Sequence, residues 1–386
     1  LLLIVHQCFS YSFNKLYNKL CLFYIEMSKY YIGIMCGTSL DSIDISIVSI
    51  TSRKIKVKSF YEYKLSNKLK EKINLAKENN YSMKNLNKIN LDITTLISQY
   101  VKQSLKKDKL TYSDIDAIGF PGITLNHRPD LKKSTFIGDP ELLSKKLKIK
   151  VIADFRQTDI DAGGQGAPLA GLFHKYLNTI INKKLTYLNL GGFANVTVPY
   201  NNNIISYDTG PANYLMDLWC NNKFDMKYDL DGKLASLGNI NIDLLKSMLS
   251  DKYFKKKYPK STGFELFNED WIKKHLAKSS KVSDVDVLAT LAFLTIITVS
   301  NELKKFKNKT TNLFIYGGGA FNKLLIHGIL DLSNASQTDL LRDIVNEKNM
   351  ESTAFAWLAY MREREILFDN SGITGSKQPY LLGNVY

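Results

Sequence analysis

Tyr30-Tyr31-Ile32-Gly33-Ile34-Met35-Cys36-Gly37-Thr38-Ser39-Leu40-Asp41-Ser42-Ile43-Asp44-Ile45-Ser46-Ile47-Val48 is the stretch whose reading decides the fold. An apolar run rich in Tyr and Ile enters, a small polar turn interrupts it, and alternating Ile43, Ile45 and Ile47 leave on the other side, the pattern of strand, tight turn, strand. In such a turn Gly37 lets the backbone approach a ligand closely, and the hydroxyls of Thr38 and Ser39 with nearby amides can donate to phosphate oxygens. The same residues also suit an ordinary hairpin turn, because Gly, Ser and Asp are turn formers. Both readings stand on this stretch alone.

Downstream, Ile55 to Tyr63 alternates apolar and basic residues and predicts a third strand. Helical periodicity runs over Leu65 to Lys77 and Met83 to Leu105, the second helix placing Leu86, Ile89, Ile93, Leu96 and Ile97 on one side. Ile115 to Phe120 predicts a short buried strand, Pro121 to Pro129 a loop at its carboxyl end, and Val151 to Asp154 a closing strand. The same order then repeats. Leu185 to Leu190, Phe193 to Tyr200 and Ile204 to Tyr207 predict three strands, Pro211 opens a helix, and a polar insertion spans Asp225 to Lys281. Helix Val287 to Lys304, strand Asn312 to Tyr316, and helices over Ala320 to Leu330 and Glu351 to Arg362 complete the second copy. Two copies of one αβ unit imply an α/β protein of two similar lobes with a cleft between them. The expected division is residues 27–155 for the N-terminal lobe and 156–386 for the C-terminal lobe, with residues 1–26 an extension outside the fold ahead of Met27.

The 386 residues, 45% hydrophobic and 23% charged, suffice for two cores, and no segment reads as an uninterrupted bilayer-spanning run. A net charge of +15 suits an anionic ligand, but the Lys residues are scattered with Asn, as in Lys102 to Lys109, without a nucleic-acid signature. They read as solvated faces, so neither nucleic acid nor membrane is expected as a partner. Cys8, Cys21, Cys36 and Cys220 lie far apart and the five His are dispersed, which suggests neither a disulfide framework nor a metal site and fits a cytoplasmic protein.

Chemistry is expected at the turns that end strands. Tyr207-Asp208-Thr209-Gly210-Pro211 places a carboxylate ahead of a helix start, where free amides favour an anion; Asp208 either works beside that anion or caps the helix. Tyr316-Gly317-Gly318-Gly319-Ala320 ends a strand in glycines suited to backbone contact with a base or a phosphate. Asp154-Phe155-Arg156 through Gly163-Gly164-Gln165-Gly166 packs charges and glycines tightly; Arg156 either holds an acidic substrate group or pairs with Asp154 or Asp159. His174, at helical spacing with Leu169, Leu172 and Phe173, reads as a packing histidine.

Taken together these motifs resemble those of the anhydro-N-acetylmuramic acid kinases, in the sugar-kinase, heat-shock-protein-70 and actin superfamily. The matching stretches are Gly33 to Asp44, Asp154-Phe155-Arg156 through Leu169, Asn189 to Thr197, Asp208 to Asn213, Lys260-Ser261-Thr262-Gly263, Ala289-Thr290-Leu291, Gly317 to Ala320, Glu351 with Ala354 to Ala359, and Thr374-Gly375-Ser376, in family order. The resemblance implies two RNase H-like lobes with an actin-like ATPase fold. It implies ATP with Mg2+ in the cleft, the phosphates held by Gly37, Thr38, Ser39, Leu40, Asp41, Ser42, Ile43 and Asp44 and by Gly210 in the turn after Asp208, the nucleoside near Gly317, Gly318 and Gly319. It implies 1,6-anhydro-N-acetylmuramic acid as substrate, held by Thr124, Arg156 and Glu351, with Asp208 as the general base that activates water at C1 while O6 takes the γ-phosphate. A homodimer and a role in peptidoglycan recycling follow from the same resemblance.

Two departures bear on specificity. Where the family usually reads Gly-x-His-Gly-Gln-Thr, this chain has Gly119-Phe120-Pro121-Gly122-Ile123-Thr124, and the usual Ser and Asp-Gly of the first turn are Cys36 and Asp41-Ser42. The loss of polar groups at positions 121 and 123 motivates two alternatives: a kinase of the same fold acting on another small sugar, or a non-catalytic nucleotide-binding regulator.

Overall fold

The opening hairpin forms as the alternation predicts. β1 (Tyr30–Met35) pairs antiparallel with β2 (Ser42–Ile50), Ile34 opposite Ile45, and β2 pairs antiparallel with β3 (Ile55–Lys64). Ile32, Ile34, Ile43, Ile45 and Ile47 point to one face and are fully buried, whereas Tyr31 and Val48 point to the other. The chain is described here from a computed structural model covering residues 30–386 except 38, 53, 78–81, 129–132, 202, 280 and 307–311. The extension expected over residues 1–26 and the phosphate contact expected of Thr38 lie outside the described residues.

Helices α1 (Asn67–Lys77) and α2 (Met83–Asp108) cover the first face. Ser82 caps α2 by accepting from the Asn85 amide, and Ile89, Ile93, Ile97, Val101 and Leu105 form the buried stripe. β4 (Ile115–Gly119) runs parallel to β1. The stretch Pro121 to Pro129, expected as a loop, instead contains β5 (Ile123–Arg128), which pairs antiparallel with β6 (Lys133–Ile137). α3 (Pro140–Leu147), capped by Asp139, leads to β7 (Lys150–Ala153), parallel to β4. The order β3-β2-β1-β4-β7 is three antiparallel strands followed by two parallel ones.

The second sheet repeats that order. After α4 (Phe155–Asp161) and α5 (Ala170–Ile180), β8 (Thr186–Leu190), β9 (Phe193–Tyr200) and β10 (Asn203–Pro211) form an antiparallel meander. α6 (Asn213–Phe224), α7 (Ile242–Leu249), α8 (Glu269–Leu276) and α9 (Asp284–Lys304) precede β11 (Asn312–Tyr316), parallel to β8. α10 (Lys323–Ser333) leads to β12 (Ser336–Gln337), parallel to β11, which gives β10-β9-β8-β11-β12. Two sheets of identical order and direction define two RNase H-like lobes of the actin-like ATPase fold. The segment read as a polar insertion is largely built into the second lobe: Leu244, Leu245, Met248, Phe267, Trp271 and Ile272 belong to its core. α9 has the length and apolar composition to cross a bilayer, but it is mostly buried as the central helix of that core.

Chain order and lobe membership part company at the C-terminus. α11 (Met350–Glu363) lies across the second face of the first sheet, so close that a Cβ on Gly33 would sit 1.7 Å from the Ser352 carbonyl oxygen and one on Gly119 2.0 Å from that of Phe355. After the short pair β13 (Leu367–Phe368) and β14 (Tyr380–Leu381), β15 (Asn384–Val385) pairs antiparallel with β7 and closes the edge of the first sheet.

Candidate active site

In a parallel α/β sheet ligands bind at the carboxyl ends of the strands, which here are those of β1, β4, β8 and β11. Asp208 lies inside β10 rather than in a turn before a helix, at a bulge where the register with β9 shifts between Asp208 and Gly210. A bulge re-aims a side chain out of the pleat. Pro211 closes this strand instead of opening a helix; α6 begins at Asn213, and the amides of Ala212, Asn213 and Tyr214 donate to the Gly191 and Gly192 carbonyls. The anion-favouring amides expected there are thus engaged by the β8–β9 turn, and Asp208 does not cap the helix.

Three hydrogen bonds from two segments hold Asp208. Its amide donates to the Lys260 carbonyl at 3.1 Å, its own carbonyl accepts from the Tyr253 hydroxyl at 2.7 Å, and its Oδ2 accepts from the Thr262 amide at 2.9 Å. The side chain is 7% exposed. Burial pushes its pKa up to about 7, against the opposing pull of the Thr262 amide and the Arg156 charge. Glu351, on the first turn of α11, is likewise pushed up to about 7 by burial, with Arg156 opposing and Asp44 adding to the rise. Its Oε1 accepts from Asn189 Nδ2 at 3.4 Å.

Arg156 joins the two carboxyls. Its guanidinium donates through Nη1 to the Gly166 carbonyl at 3.0 Å, and its charge acts on Glu351, Asp208 and Asp159. Asp154 and Asp159 are occupied elsewhere: Asp154 accepts from Asn384 and Tyr386, while Asp159, fully buried, accepts from the Gly166 amide, Asn370, Thr374 and Tyr380. Arg156 Nε, Asn189 Oδ1 and Thr262 Oγ1 are buried without a hydrogen-bond partner, and each belongs to a residue that contacts or electrostatically faces Asp208 or Glu351. Buried orphans of this kind call for an explanation, and a polar ligand that completes the bonding is one.

The first turn follows β1, and its Asp44 acts electrostatically on Glu351. Leu40, at φ +57°, donates its amide to the Gly37 carbonyl at 3.0 Å. Leu40 and Ile43 send their side chains into the first-lobe core, so only their backbone faces a ligand. A Cβ on Gly37 would meet nothing closer than Ser39 Oγ at 3.9 Å, so open space, not packing, lies over this glycine. Ser42 Oγ donates to Asp44 Oδ1 at 2.7 Å, and burial raises the Asp44 pKa to about 6. Asp41 bonds Lys70 at 3.0 Å and, across the cleft, Lys227 at 2.5 Å. Burial together with Asp41 raises Asp217 of α6 to about 7.

The Gly317–Gly319 turn ends β11, with Gly317 at φ +85° and no room for a Cβ beside Asn189 and Leu190; Gly210 has Phe254 against its Cβ position. Thr124 is half-buried on β5, opposite Phe136, whereas Ile123 is buried in the first-lobe core. The apolar replacement at 123 is therefore a core residue. His174 is a packing histidine as expected: it is buried, hydrogen-bonded to Thr197 at 2.8 Å and stacked on Tyr187 at 4.1 Å. Sequence reasoning gave no role to Tyr253, Lys260, Thr262, Asn189 or Asp217.

Two lobes with a shared order of strands, carboxyls and a guanidinium in the cleft, and an open glycine turn facing them define a phosphotransferase of the actin-like ATPase fold. A profile of the anhydro-N-acetylmuramic acid kinase family matches residues 29–386, and the chain belongs to that family. Curated relatives named anhydro-N-acetylmuramic acid kinase include one from Sulfurovum sp., 39% identical, covering 92% of this chain and 98% of the relative. Another, from Hydrogenovibrio crunogenus, is 37% identical and covers 93% of this chain and 98% of the relative. The solved activator of the 2-hydroxyisocaproyl-CoA dehydratase from Clostridium difficile is a remote structural neighbour, with TM-score 0.42 and 14% identity over 87% of this chain and 96% of that one.

Proposed function

We propose that this chain is an ATP-dependent kinase that opens 1,6-anhydro-N-acetylmuramic acid and phosphorylates O6 to give N-acetylmuramic acid 6-phosphate, a step of peptidoglycan recycling. Family membership supports the activity. The assignment of residues is supported by one observation: Asp208 and Glu351, from distant stretches, both lie within electrostatic reach of Arg156, amid buried polar atoms that lack partners.

The residues suit the chemistry. Asp208 takes the proton of a water that attacks C1; the C1–O6 bond breaks with its electron pair on O6; O6 bonds to the γ-phosphorus and ADP leaves. A base with a pKa of about 7 is well matched to that proton near neutrality. Arg156 and Glu351 hold the sugar's acidic and hydroxyl groups, with Thr124 on the first-lobe side. The turn from Gly37 to Asp44 holds the phosphates through its amides, Gly210 borders them, and Gly317 to Gly319 adjoin the nucleoside. Mg2+ would accompany the ATP: Asp44 and Asp217, whose carboxyls burial holds above their usual range, lie within electrostatic reach of Asp41 and would each offer an oxygen, and since no larger cluster of metal-ligating side chains occurs among the described residues, phosphate oxygens and water would complete the ion's shell. Bound there, it would neutralise phosphate charge. The reading also carries a cytoplasmic homodimer, which sedimentation would check.

An ADP-release assay with the anhydro sugar tests the proposal. Turnover by the wild type and its loss in Asp208→Asn are expected; a panel of other small sugars should give little. Turnover of another sugar alone would favour the altered-specificity reading, and ATP binding with no sugar turned over would favour the regulator.

A further inference from the structure

Beside Asp208 lies a second charged group, the Lys260–Glu302 pair, which the proposed reaction does not use. Lys260 and Glu302 are 4% and 6% exposed, and their side chains meet at 3.0 Å. Glu302 comes from α9, and its other oxygen accepts from Tyr207 at 3.0 Å and from Lys305 at 2.6 Å. The Lys260 ammonium also lies over the rings of Tyr253, at 5.0 Å, and Tyr207, at 5.6 Å. These contacts close a ring around the base, since Tyr207 precedes Asp208 in β10, Tyr253 donates to the Asp208 carbonyl, and Lys260 accepts its amide. Two residues further, the Thr262 amide grips the carboxylate itself.

We infer that the buried Lys260–Glu302 pair is a positioning device for the general base: it fixes the 260–262 segment whose backbone sets the orientation and charge of Asp208. A buried ion pair is a poor way to stabilise a fold, because desolvation of both charges offsets their attraction, and apolar pairs of similar volume commonly do as well or better. What such a pair supplies here is geometry, since each partner is held from two sides and the Lys260 backbone is welded to the strand carrying the base. The charges that face Asp208 are Arg156 from α4, Lys260 and Glu265 from this segment, and the hydroxyls of Tyr253 and Tyr316. Removing the Lys260 cation leaves Glu265 less opposed, which favours the protonated base.

This inference rests on Asp208 being the base, and the two can fail separately. The test uses full-length Lys260→Met, Glu302→Gln, Lys260→Arg and the apolar double variant Lys260→Met/Glu302→Leu, with kcat, KM for ATP, pH–rate profile and melting temperature measured for each. The expected result is a kcat at least tenfold lower in Lys260→Met and in the double variant, KM for ATP within about twofold of wild type, the acid limb of the Lys260→Met profile moved to higher pH, and partial rescue in Lys260→Arg. The double variant should recover the melting temperature without recovering kcat, which separates positioning from stability. Wild-type kcat and pH profile in the folded double variant, or in Glu302→Gln if the double variant does not fold, would overturn the inference. Undiminished turnover in Asp208→Asn would instead overturn the assignment of the base, whatever Lys260 does.

Discussion

At the scale of single residues, the site carries two carboxyls whose ionised form the fold disfavours. Asp208 loses its proton near pH 3.8 when unfolded and near 7 when folded, so across that window the native state holds the extra proton and stability falls as pH rises. Asp208→Asn should therefore melt higher than wild type at pH 8, by a difference on the order of a kcal/mol that vanishes near pH 4; thermal scans at the two pH values check this. The same variant should lose about 10²–10⁴-fold in kcat, the range for removal of a general base. Wild-type turnover should fall as pH drops through about 7, as the carboxyl takes up its proton. Glu351→Gln leaves the base in place and should raise KM for the sugar more than it lowers kcat, measured by varying sugar at saturating ATP.

At the scale of elements, the parts legible in the sequence are those where one periodicity ran without interference. The Ile43, Ile45 and Ile47 alternation yields β2 because nothing else competes for that face, and the Ile stripe of α2 is spaced for a helix alone. Between Pro121 and Pro129 the same alternation is present, with Ile123 and Leu125 buried and Thr124 and Asn126 half-buried, but flanking prolines hide a hairpin whose two strands support each other. In the 225–281 segment the apolar positions are diluted by Lys, so their burial shows only once α9 lies beneath them. Lys260 and Glu302 lie 42 residues apart, a pairing no local pattern reports. Asp208, Arg156 and Glu351 each sit in a distinctive motif, but their common electrostatic environment appears only when α11 folds back on the first sheet. That return makes Gly33 a test of the element: Gly33→Ala places a Cβ inside the Ser352 carbonyl and must shift α11. Urea unfolding should show a loss of about 1–3 kcal/mol, with a raised KM for the sugar because Glu351 moves with its helix.

At the scale of the whole molecule, the lobes must part to admit ATP and close to exclude water. The Asp41–Lys227 contact crosses the cleft mouth, from the first turn to the segment after α6, and both side chains keep substantial exposure, 44% and 62%. A pair that wet contributes at most ~1 kcal/mol and weakens with salt, which suits a contact made and broken in each cycle rather than one that holds the fold. Its partner Asp41 is also bound by Lys70 within the first lobe, so losing Lys227 leaves the carboxylate half-neutralised in the turn proposed to hold the phosphates. Lys227→Ala should therefore raise KM for ATP several-fold at low ionic strength with kcat nearly unchanged. The gap from wild type should shrink as NaCl is raised toward 0.5 M, where the Debye length falls to a few ångströms. The melting temperature should stay within about a degree of wild type, since one exposed pair is worth so little against the cores of two lobes. A large drop in melting temperature with an unaltered KM would mean that the pair ties the lobes together permanently and that closure is governed elsewhere.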